Sequence, residues 1–478
     1  MKKSLFVIVL VFVQLSCFAQ TNPRMAVMDL NAFEMAHYMA PAWNLGNTME
    51  GGNNANNYTN NGGLSAETSW QSTKTTQAAI DYVASQGFKT VRIPCAWVMG
   101  HITDATTLTI DEAWMNRVKE ITDYCLNAGM NVVINDHWDG GWLEINIANG
   151  DYATLSANLT KLWTNIANAF KDYDERVMFA GLNEPNADTQ AATDRLLQYE
   201  QVFIDAVRAT GGNNAKRILI VQGPNTDIDK TNDYYDITKL NDSATDRLIA
   251  EVHFYAPYQF TMMTEDASWG YMQFYWNNSS CNYTSSKHKG TYADATVTNQ
   301  FKKMKTKFVD KGYPVLVGEY GSIWRNLSGK SGESQSKHNE SLTYWYRLVT
   351  LGCMQYGLIP CAWDTNSFGN GSMSFINRNT CAIGSGGAQY IANGIKQGAN
   401  SGKNPYNVIY PTPSSEIALK GDANNDNIID VADITAIASY ILGQSPATFS
   451  TTNADANSDG TIDVADITAT ATIILGNG

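Results

Sequence analysis

The feature of this sequence that most constrains its fold is an alternation of short apolar runs and longer amphipathic stretches between residues 40 and 365. A short apolar or β-branched run ends in polar or aromatic residues, a longer stretch with helical spacing follows, and the unit recurs eight times. Runs such as VVIN and RILIVQ are nearly all apolar, as expected for strands covered on both faces. The predicted strands are Ala42–Gly46, Lys89–Pro94, Asn131–Asn135, Val177–Leu182, Arg217–Gln222, Leu248–His253, Pro314–Gly318 and Leu358–Trp363.

Strands and helices that alternate in this way predict an α/β fold, a (β/α)₈ TIM barrel, with an open doubly wound sheet as the alternative. No Gly-x-Gly-x-x-Gly turn follows the first strand, which argues against the dinucleotide-binding version of that sheet. The predicted helices include Thr75–Gln86, Asp111–Ala128, Ala153–Tyr173, Asp194–Thr210, Ala295–Lys311 and Ser336–Tyr356.

The first 19 residues have the pattern of a secretory signal peptide. Two lysines precede the apolar run Leu5–Val13, which is too short to span a bilayer, and Cys17-Phe18-Ala19 forms the cleavage site. An acylated Cys17 is the alternative, although Gln14 stands where a lipoprotein signal favours an aliphatic residue. We expect a secreted or cell-surface protein with no transmembrane segment.

The charge and the cysteines exclude some classes of function. A net charge of −13 over 478 residues provides no basic surface for nucleic acid or an anionic membrane, whereas a neutral polysaccharide requires none. The six cysteines after the leader are scattered and form no C-x-x-C pair. We therefore expect no zinc site, and the spacing assigns no disulfide.

The C-terminal part contains an internal duplication. Gly421–Gly443 and Ala454–Gly476 align at an offset of 33 residues, and the aperiodic residues 400–418 before them are predicted to be a linker. Each repeat of this domain, residues 419–478, has oxygen ligands at the spacing of a twelve-residue calcium loop, followed by one helical stripe. The predicted ligands are Asp422, Asn424, Asp426, the Ile428 carbonyl, Asp430 and Asp433, then Asp455, Asn457, Asp459, the Thr461 carbonyl, Asp463 and Asp466.

Polar and aromatic residues cluster where the predicted barrel strands end. The carboxyl ends of all eight strands meet on one face of a TIM barrel, where active sites lie. Any one of these residues alone has an ordinary structural explanation, but their convergence on one rim predicts a site. They are Asn47, Arg92, His137, Trp138, Asn183, Glu184, Gln222, His253, Tyr255, Glu319 and Trp363.

Two carboxylates end opposite strands of this barrel, Glu184 on the fourth and Glu319 on the seventh. Glycoside hydrolysis needs one carboxyl group to protonate the leaving oxygen and another to attack the anomeric carbon, about 5–5.5 Å away in retaining enzymes. We expect Arg92, His253 and Tyr255 to surround Glu319 as the nucleophile. Glu184 would then be the acid/base.

Seven segments in order resemble the cellulase branch of glycoside hydrolase family 5. They are WNLGNTME, VRIP, NDHWDGGW, LNEP, HFY, GEYG and AWD, spread over residues 30–400. The resemblance implies a retaining catalytic domain at residues 20–399 that needs no catalytic cofactor, with Glu184 as acid/base and Glu319 as nucleophile. It implies substrate contacts by Arg92, His137, Asn183, His253, Tyr255 and Trp363, and we add Trp43, Asn47 and Trp138 as candidates.

The lead prediction is an endo-β-1,4-glucanase that cuts internal bonds of cellulose or a related β-glucan. His137 is followed by Trp138 where many family cellulases carry a second histidine, so a β-mannanase or xyloglucanase stays open. A non-catalytic carbohydrate-binding or assembly protein is the alternative from another class. The pair of carboxylates beside Arg92 and His253 argues against it.

The duplicated loop-and-helix units resemble a dockerin. The resemblance implies two structural Ca²⁺ ions and a cohesin-like protein partner. Position twelve of each loop is Asp, where EF-hands usually have Glu. Val431-Ala432 and Val464-Ala465 occupy positions where many dockerins carry Ser or Thr, a departure that concerns the cohesin-like partner and not the calcium ligands.

Overall fold

The computed structural model describes residues 28–52, 55–400, 420–425, 429–444, 446, 448–457 and 459–475. The predicted leader with Cys17, the predicted linker beyond residue 400, and the predicted calcium ligands Asp426 and Ile428 lie outside the described residues. Within the described ranges, every helix is too short or too polar to cross a lipid bilayer.

Eight parallel strands close into a barrel, and each predicted strand is present. Every strand pairs with its neighbours in the sequence, and the first closes on the last through Ala42 opposite Cys361. The predicted TIM barrel is confirmed. Its strands are β1 Ala42–Asn44, β2 Thr90–Ile93, β3 Asn131–Asn135, β4 Val177–Ala180, β5 Leu219–Gln222, β6 Leu248–Phe254, β7 Val315–Tyr320 and β8 Leu358–Ala362.

Helices follow the strands, and all six helical stretches named from the sequence are present with shifted ends. Four further α-helices in the described part of this domain, Ala32–Ala36, Ile228–Tyr234, Tyr258–Thr261 and Ala388–Asn400, were not among them. The helices are α1 Ala32–Ala36, α2 Gln77–Ser85, α3 Glu112–Asn127, α4 Tyr152–Ala169, α5 Gln190–Ala209, α6 Ile228–Tyr234, α7 Tyr258–Thr261, α8 Asp294–Lys307, α9 Gln335–Gln355 and α10 Ala388–Asn400.

The barrel has two apolar layers because neighbouring side chains of a strand point to opposite faces. In β4, Val177 and Phe179 pack outward against the helices, whereas Met178 and Ala180 belong to the inner cluster. Helix α1 contributes Met35 and Ala36 to that inner cluster, so it plugs one end of the barrel. The other end is left to polar side chains.

A bulge in β7 decides which side chains enter the barrel. Val252 of β6 pairs with Val317, but the next residue, His253, pairs with Glu319, so Gly318 is an extra residue on β7. Alternation would otherwise turn Glu319 outward like Val317, which lies in the outer cluster. The bulge instead places His253 and Glu319 side by side at the carboxyl end of the barrel.

The C-terminal domain is all-α, as predicted. Its helices are α11 Val431–Ile441, α12 Thr451–Ala454 and α13 Val464–Ile474. Asp430 and Asp463 cap α11 and α13, and each helix start has a complete capping box with the aspartate three residues on. Among the described residues of this domain, the buried apolar cluster is small and contains Ala423, Ala436, Ile437 and Ala454, with Ile429 also buried.

Candidate active site

Glu184 and Glu319 meet at the carboxyl end of the barrel. An oxygen of each carboxylate and a ring nitrogen of His253 all lie within 4.8 Å of one another. The Glu319 side chain is 8% exposed, whereas that of Glu184 is 45% exposed. One carboxylate is therefore enclosed, and the other borders the open cleft.

Both oxygens of Glu319 are held by donors. Arg92 donates from Nη1 to Oε1 at 3.1 Å, and the Tyr255 hydroxyl donates to Oε2 at 2.8 Å. His253 Nδ1 lies 3.7 Å from Oε2. The predicted grouping of Arg92, His253 and Tyr255 around Glu319 is therefore what the structure has.

Arg92 is fully buried and connects several strands at once. Nη2 donates to Asn183 Oδ1 at 2.9 Å, Nη1 also donates to Asn44 Oδ1 at 3.0 Å, and Nε lies 3.1 Å from Glu251 Oε1. Burial lowers the pKa of Arg92, but the charges of Glu251 and Glu319 outweigh it and raise the pKa above its ordinary value. The guanidinium is a permanent cation beneath the site.

His253 carries a second positive charge. Its Nδ1 donates to Glu184 Oε1 at 2.8 Å, and Nε2 lies 3.4 Å from Glu251 Oε1. Burial lowers its pKa, but the carboxylates of Glu319, Glu184 and Glu251 outweigh it and raise the pKa to about 10. A protonated imidazole donates from both ring nitrogens, which matches the carboxylate oxygens that Nδ1 and Nε2 face here.

These surroundings shift the pKa values of the two carboxyl groups in opposite directions. Burial raises the pKa of Glu319, although the charges of His253 and Arg92 oppose it. Burial also raises the pKa of Glu184, but the hydrogen bond and charge of His253 outweigh it and leave the pKa below its ordinary value. Both groups depend on the same histidine, so a ligand that covers one of them changes the charge balance of both.

His137 follows β3 and packs against Trp363, which follows β8. Its ring stacks on Trp363 with centroids 5.7 Å apart, and its Nδ1 lies 3.2 Å from Asn135 Nδ2. Burial and the charge of Arg92 hold the pKa of His137 well below its usual range. The neutral ring accepts the amide hydrogen of Asn135 at Nδ1, which leaves Nε2 as a hydrogen-bond donor.

Trp138 projects from a strained turn and is 46% exposed. Residues 138–141 all have positive φ, between 43° and 69°. Both carboxylate oxygens of Asp139 accept backbone N–H groups, of Val98 and Met99, at 2.6 Å. These bonds hold the turn in the conformation that displays Trp138.

Two further candidates, Trp43 and Asn47, differ in how accessible they are. Trp43 is fully buried, and its Nε1 donates to Asp364 Oδ2 at 3.1 Å. The expectation that Trp43 contacts substrate is therefore wrong, because no face of the ring is accessible. Asn47 is half-buried with φ 58°, and its backbone N–H donates to the Glu50 carboxylate.

Three buried polar side chains near the site were not predicted. Glu251 lies in the interior of β6, where the strand middles were expected to be apolar, and its carboxylate contacts Arg92 and accepts from Gln222 Nε2 at 2.7 Å. Glu144 accepts the backbone N–H of Glu184, and burial raises its pKa to about 7. Asn44 donates to the Gly318 carbonyl at 2.8 Å. A charged residue inside the apolar run LIAEVHF is the signal that identifies Glu251.

The second duplicated loop gathers its acidic side chains. Asp455 accepts the N–H groups of Asp459 and Gly460, at 3.1 and 3.2 Å, and Asp466 accepts those of Asn457 and Asp463, at 3.2 and 2.9 Å. Gly460 has φ 85°, as its place in the loop requires. A ring of carboxylate and amide oxygens is the donor set that calcium prefers.

The six cysteines after residue 28 all lie in the described part of the chain, and each is a free thiol there. Five are buried and Cys381 is half-buried. Burial raises the pKa of Cys125, Cys353 and Cys361, so these thiols are packing groups in the barrel wall.

Comparison with known proteins agrees with the geometry. Residues 52–369 match the family model for cellulase, glycosyl hydrolase family 5, and residues 420–472 match that for the dockerin type I domain. Endoglucanase A of Paenibacillus barcinonensis is 32% identical over 422 residues, which cover 83% of this chain and 98% of that protein. A xyloglucan-specific endo-β-1,4-glucanase of Bacteroides ovatus is 33% identical over 70% of this chain and 65% of its own.

A solved structure has the same barrel. The xyloglucan-specific β-1,4-glucanase from a ruminal metagenomic library superposes with a TM-score of 0.70 at 42% identity, covering 79% of this chain and 98% of that one. The match includes the barrel that brings Glu184 and Glu319 together. This chain therefore belongs to glycoside hydrolase family 5, and it is a glycoside hydrolase with a C-terminal dockerin type I domain.

Proposed function

We propose that this protein is an exported, retaining endo-β-1,4-glucanase that cuts internal bonds of a β-glucan. The observation that carries the proposal is the separation of the carboxylate oxygens of Glu184 and Glu319, which lie within 4.8 Å. Retaining glycosidases place the two groups about 5–5.5 Å apart, whereas inverting enzymes need about 6.5–9.5 Å to admit a water.

Glu319 is the nucleophile in this mechanism. Its carboxylate is fixed by Arg92 and Tyr255, so an oxygen can attack the anomeric carbon as the glycosidic C–O bond breaks. Glu184 gives its proton to the leaving oxygen, and a glycosyl ester of Glu319 forms. In the second step Glu184 takes a proton from water, the water oxygen attacks the anomeric carbon, and Glu319 is released.

Substrate supplies the protonation state that Glu184 needs. In the open cleft its carboxyl group is 45% exposed, and His253 lowers its pKa. A sugar bound over Glu184 displaces the water that solvates its carboxyl group. This disfavours the charged form of Glu184 and raises its pKa. Once Glu319 is esterified its negative charge is gone, so the pKa of Glu184 falls and the group becomes a base.

The surrounding side chains orient the sugar ring. Asn183 uses its carbonyl oxygen for Arg92, so its amide hydrogens are available to the 2-hydroxyl. Neutral His137 donates from Nε2, and Trp363 provides a flat face for the sugar at the point of cleavage. Trp138 and Asn47 extend this contact surface along the rim.

Two substitutions test the assignment. Glu319→Gln keeps an oxygen for Arg92 and is expected to reduce hydrolysis of carboxymethylcellulose below detection. Glu184→Gln should lower hydrolysis of cello-oligosaccharides by about 10²–10⁴-fold. It should spare the glycosylation step on an aryl cellobioside whose leaving group needs no proton. Hydrolysis surviving in Glu319→Gln, or an inverted product by NMR, would contradict the mechanism.

A branched β-1,4-glucan such as xyloglucan is the second candidate substrate. The observation in its favour is that the relatives include enzymes described as xyloglucan-specific, one at 42% identity. Initial rates on carboxymethylcellulose, mixed-linkage glucan, xyloglucan and mannan decide between these substrates. A preference for mannan would contradict the glucanase proposal.

We also propose that the C-terminal domain binds two calcium ions and a cohesin-like protein partner. Equivalent positions of the two repeats present apolar side chains: Val431 and Val464 are 68% and 66% exposed, and Leu442 and Leu475 are 79% and 72% exposed. Such a repeated patch favours a protein partner over solvent. Purified cohesin should bind the C-terminal domain in the presence of calcium. The double substitution Val431→Asp and Val464→Asp should abolish this binding.

A further inference from the structure

Glu144 holds the backbone at the acid/base, although the two residues follow different strands. It begins the short 3₁₀ turn Glu144–Asn146 in the loop after β3, whereas Glu184 follows β4. Its side-chain carboxylate accepts the backbone N–H of Glu184, and its backbone carbonyl accepts the N–H of Asn186 at 2.9 Å. These two bonds fix the peptide that carries the acid/base against a neighbouring loop.

The turn that carries Glu144 is itself anchored. The Asn146 backbone N–H donates to the Leu143 carbonyl at 2.8 Å, and the Asn146 side-chain amide donates to the Trp142 carbonyl at 3.0 Å. Trp142 in turn donates from Nε1 to Asp136 Oδ2 at 3.1 Å. Because the turn is held in this way, the Glu144 carboxyl group keeps a defined position relative to Glu184.

Glu144 has more carboxyl groups than cations around it. The charges of Glu184, Glu319 and His253 act on it from the other strands, and Asp136 is the titratable neighbour in its own loop. Burial raises the pKa of Glu144 to about 7, although the backbone N–H that it accepts lowers the pKa. The side chain is 5% exposed, so water screens its charge only weakly.

We propose that Glu144 is a positioning residue for the acid/base, which fixes the Glu184 backbone and, as an anion, keeps the Glu184 carboxyl group protonated in alkaline solution. This inference rests on the proposed function, in which Glu184 gives a proton to the leaving oxygen. A negative charge beside Glu184 disfavours a second one. The loss of a proton from Glu144 therefore helps Glu184 to keep its own, which extends activity to higher pH.

The pH profile of kcat on a neutral cello-oligosaccharide provides the test. Glu144→Gln keeps an oxygen for the Glu184 N–H but has no charge at any pH. Below about pH 6 the wild-type Glu144 is mostly protonated, so the two proteins should have similar kcat values. At about pH 8 the variant should be about tenfold slower with KM unchanged, because its alkaline limb lies about one pH unit lower.

Two further measurements separate the two parts of this role. Glu144→Ala removes the side-chain acceptor and should lower kcat about tenfold even at low pH, because the acid/base is then misplaced. A dinitrophenyl cellobioside has a leaving group that needs no proton. Its kcat/KM should be the same for Glu144→Gln and the wild type at every pH, because Glu319 is unaffected.

Glu175→Gln is the matched control. Glu175 precedes β4 at the opposite end of the barrel, and its carboxylate accepts the backbone N–H of Leu30 at 2.8 Å. It is buried like Glu144, and burial raises its pKa to about 7 as well. Its replacement should leave the pH profile of kcat unchanged, and thermal unfolding should show that each variant is folded.

The outcomes distinguish this inference from the proposed function. An alkaline limb that coincides in Glu144→Gln and the wild type, or that moves equally in Glu175→Gln, would overturn the electrostatic role of Glu144. Wild-type kcat in Glu144→Ala at low pH would overturn its backbone role. Full activity of Glu184→Gln on cello-oligosaccharides would instead overturn the proposed function.

Discussion

The barrel and the C-terminal domain both enclose carboxylates, but they neutralise them differently. In the barrel, Glu251 and Glu319 are balanced by Arg92 and His253, which the same strands supply. Residues 419–478 contain eight aspartates and one lysine. The barrel can therefore fold with its own counter-charges, whereas we expect the C-terminal domain to need a cation from solution.

The barrel and the C-terminal domain also differ in the size of their apolar cores. The barrel buries two extensive apolar clusters, whereas the described residues of the C-terminal domain show one small cluster of Ala423, Ala436, Ile437 and Ala454, beside fully buried Asp433 and Asp466. A domain with so little apolar burial is marginal without a bound metal. The two domains should accordingly differ in what destabilises them.

Calcium removal should produce the largest difference. EDTA is expected to unfold the C-terminal domain, because its aspartates then repel one another without a bound ion. The barrel should keep its activity and its unfolding temperature. All 12 tryptophans precede residue 364, so tryptophan fluorescence reports the barrel alone, while far-UV circular dichroism reports both domains.

Excess calcium should restore the lost helical signal. A calcium titration that saturates at two ions per chain would support the proposed stoichiometry. If a chelator shifted the unfolding transition seen by tryptophan fluorescence, or left the helical signal unchanged, the proposed difference between the two domains would be wrong.

Gly318→Ala should give the next largest effect. A Cβ at Gly318 would lie 1.8 Å from Glu251 Oε1, so the bulge, the carboxylate or both must move. We expect a loss of about 1–3 kcal/mol in the free energy of unfolding. Arg92 and Glu319 would also be displaced, which should lower kcat about a hundredfold.

Gly312→Ala separates backbone strain from this collision. Gly312 precedes β7 with φ 95°, and no atom lies within 4 Å of its added Cβ. It should cost about 1 kcal/mol of stability and leave kcat unchanged. Equal kcat values for the two variants would show that Gly318 does not position the site.

The bulge also explains what sequence patterns can and cannot predict here. Apolar runs identify all eight strands, and polar residues at their ends identify Glu184, Glu319, Arg92 and His253, because strand polarity fixes which end meets the substrate. The inward turn of Glu319 depends on a register shift between β6 and β7, which no local pattern encodes. Glu251 was missed because its partner Arg92 is 159 residues away in sequence and only the closed barrel brings them together.

Trp43 was misassigned for a related reason. A tryptophan beside a predicted strand end has the same local pattern whether its ring faces the cleft or the wall. Its burial depends on Asp364 and Arg378, which follow β8, and the Arg378 guanidinium lies 5.0 Å from the Trp43 ring centroid. Contacts between the first and last strands decide the outcome.

A buried carboxyl group without a full counter-charge should make barrel stability depend on pH. Burial raises the pKa of Glu50 from 4.5 to about 7, so the folded state binds a proton that the unfolded state has lost. Glu50 therefore contributes its full stability below about pH 4.5, and the contribution falls as pH rises through 7. The decrease should be at most about 3 kcal/mol.

Glu50→Gln should reduce the pH dependence of the barrel transition between pH 4.5 and 7, measured by tryptophan fluorescence in urea, and leave the part that comes from Glu144 and Glu175, whose pKa values burial also raises to about 7. The C-terminal domain should respond in the opposite direction, since acid protonates calcium ligands and releases the ion. An unchanged slope in Glu50→Gln would show that Glu50 is not one of the titrating groups.

The smallest effect should come from charges at the barrel surface. Lys303 and Asp229 form an ion pair between α8 and α6, but their side chains are 40% and 56% exposed. Water and salt screen such a pair, so Lys303→Ala should change the free energy of unfolding by less than about 0.5 kcal/mol. If the change instead exceeded 2 kcal/mol in physiological salt, surface pairs would rival Arg92 and His253 in holding the barrel together. Buried counter-charges would then no longer distinguish the barrel from the C-terminal domain. The difference between the two domains would depend on their total charge instead.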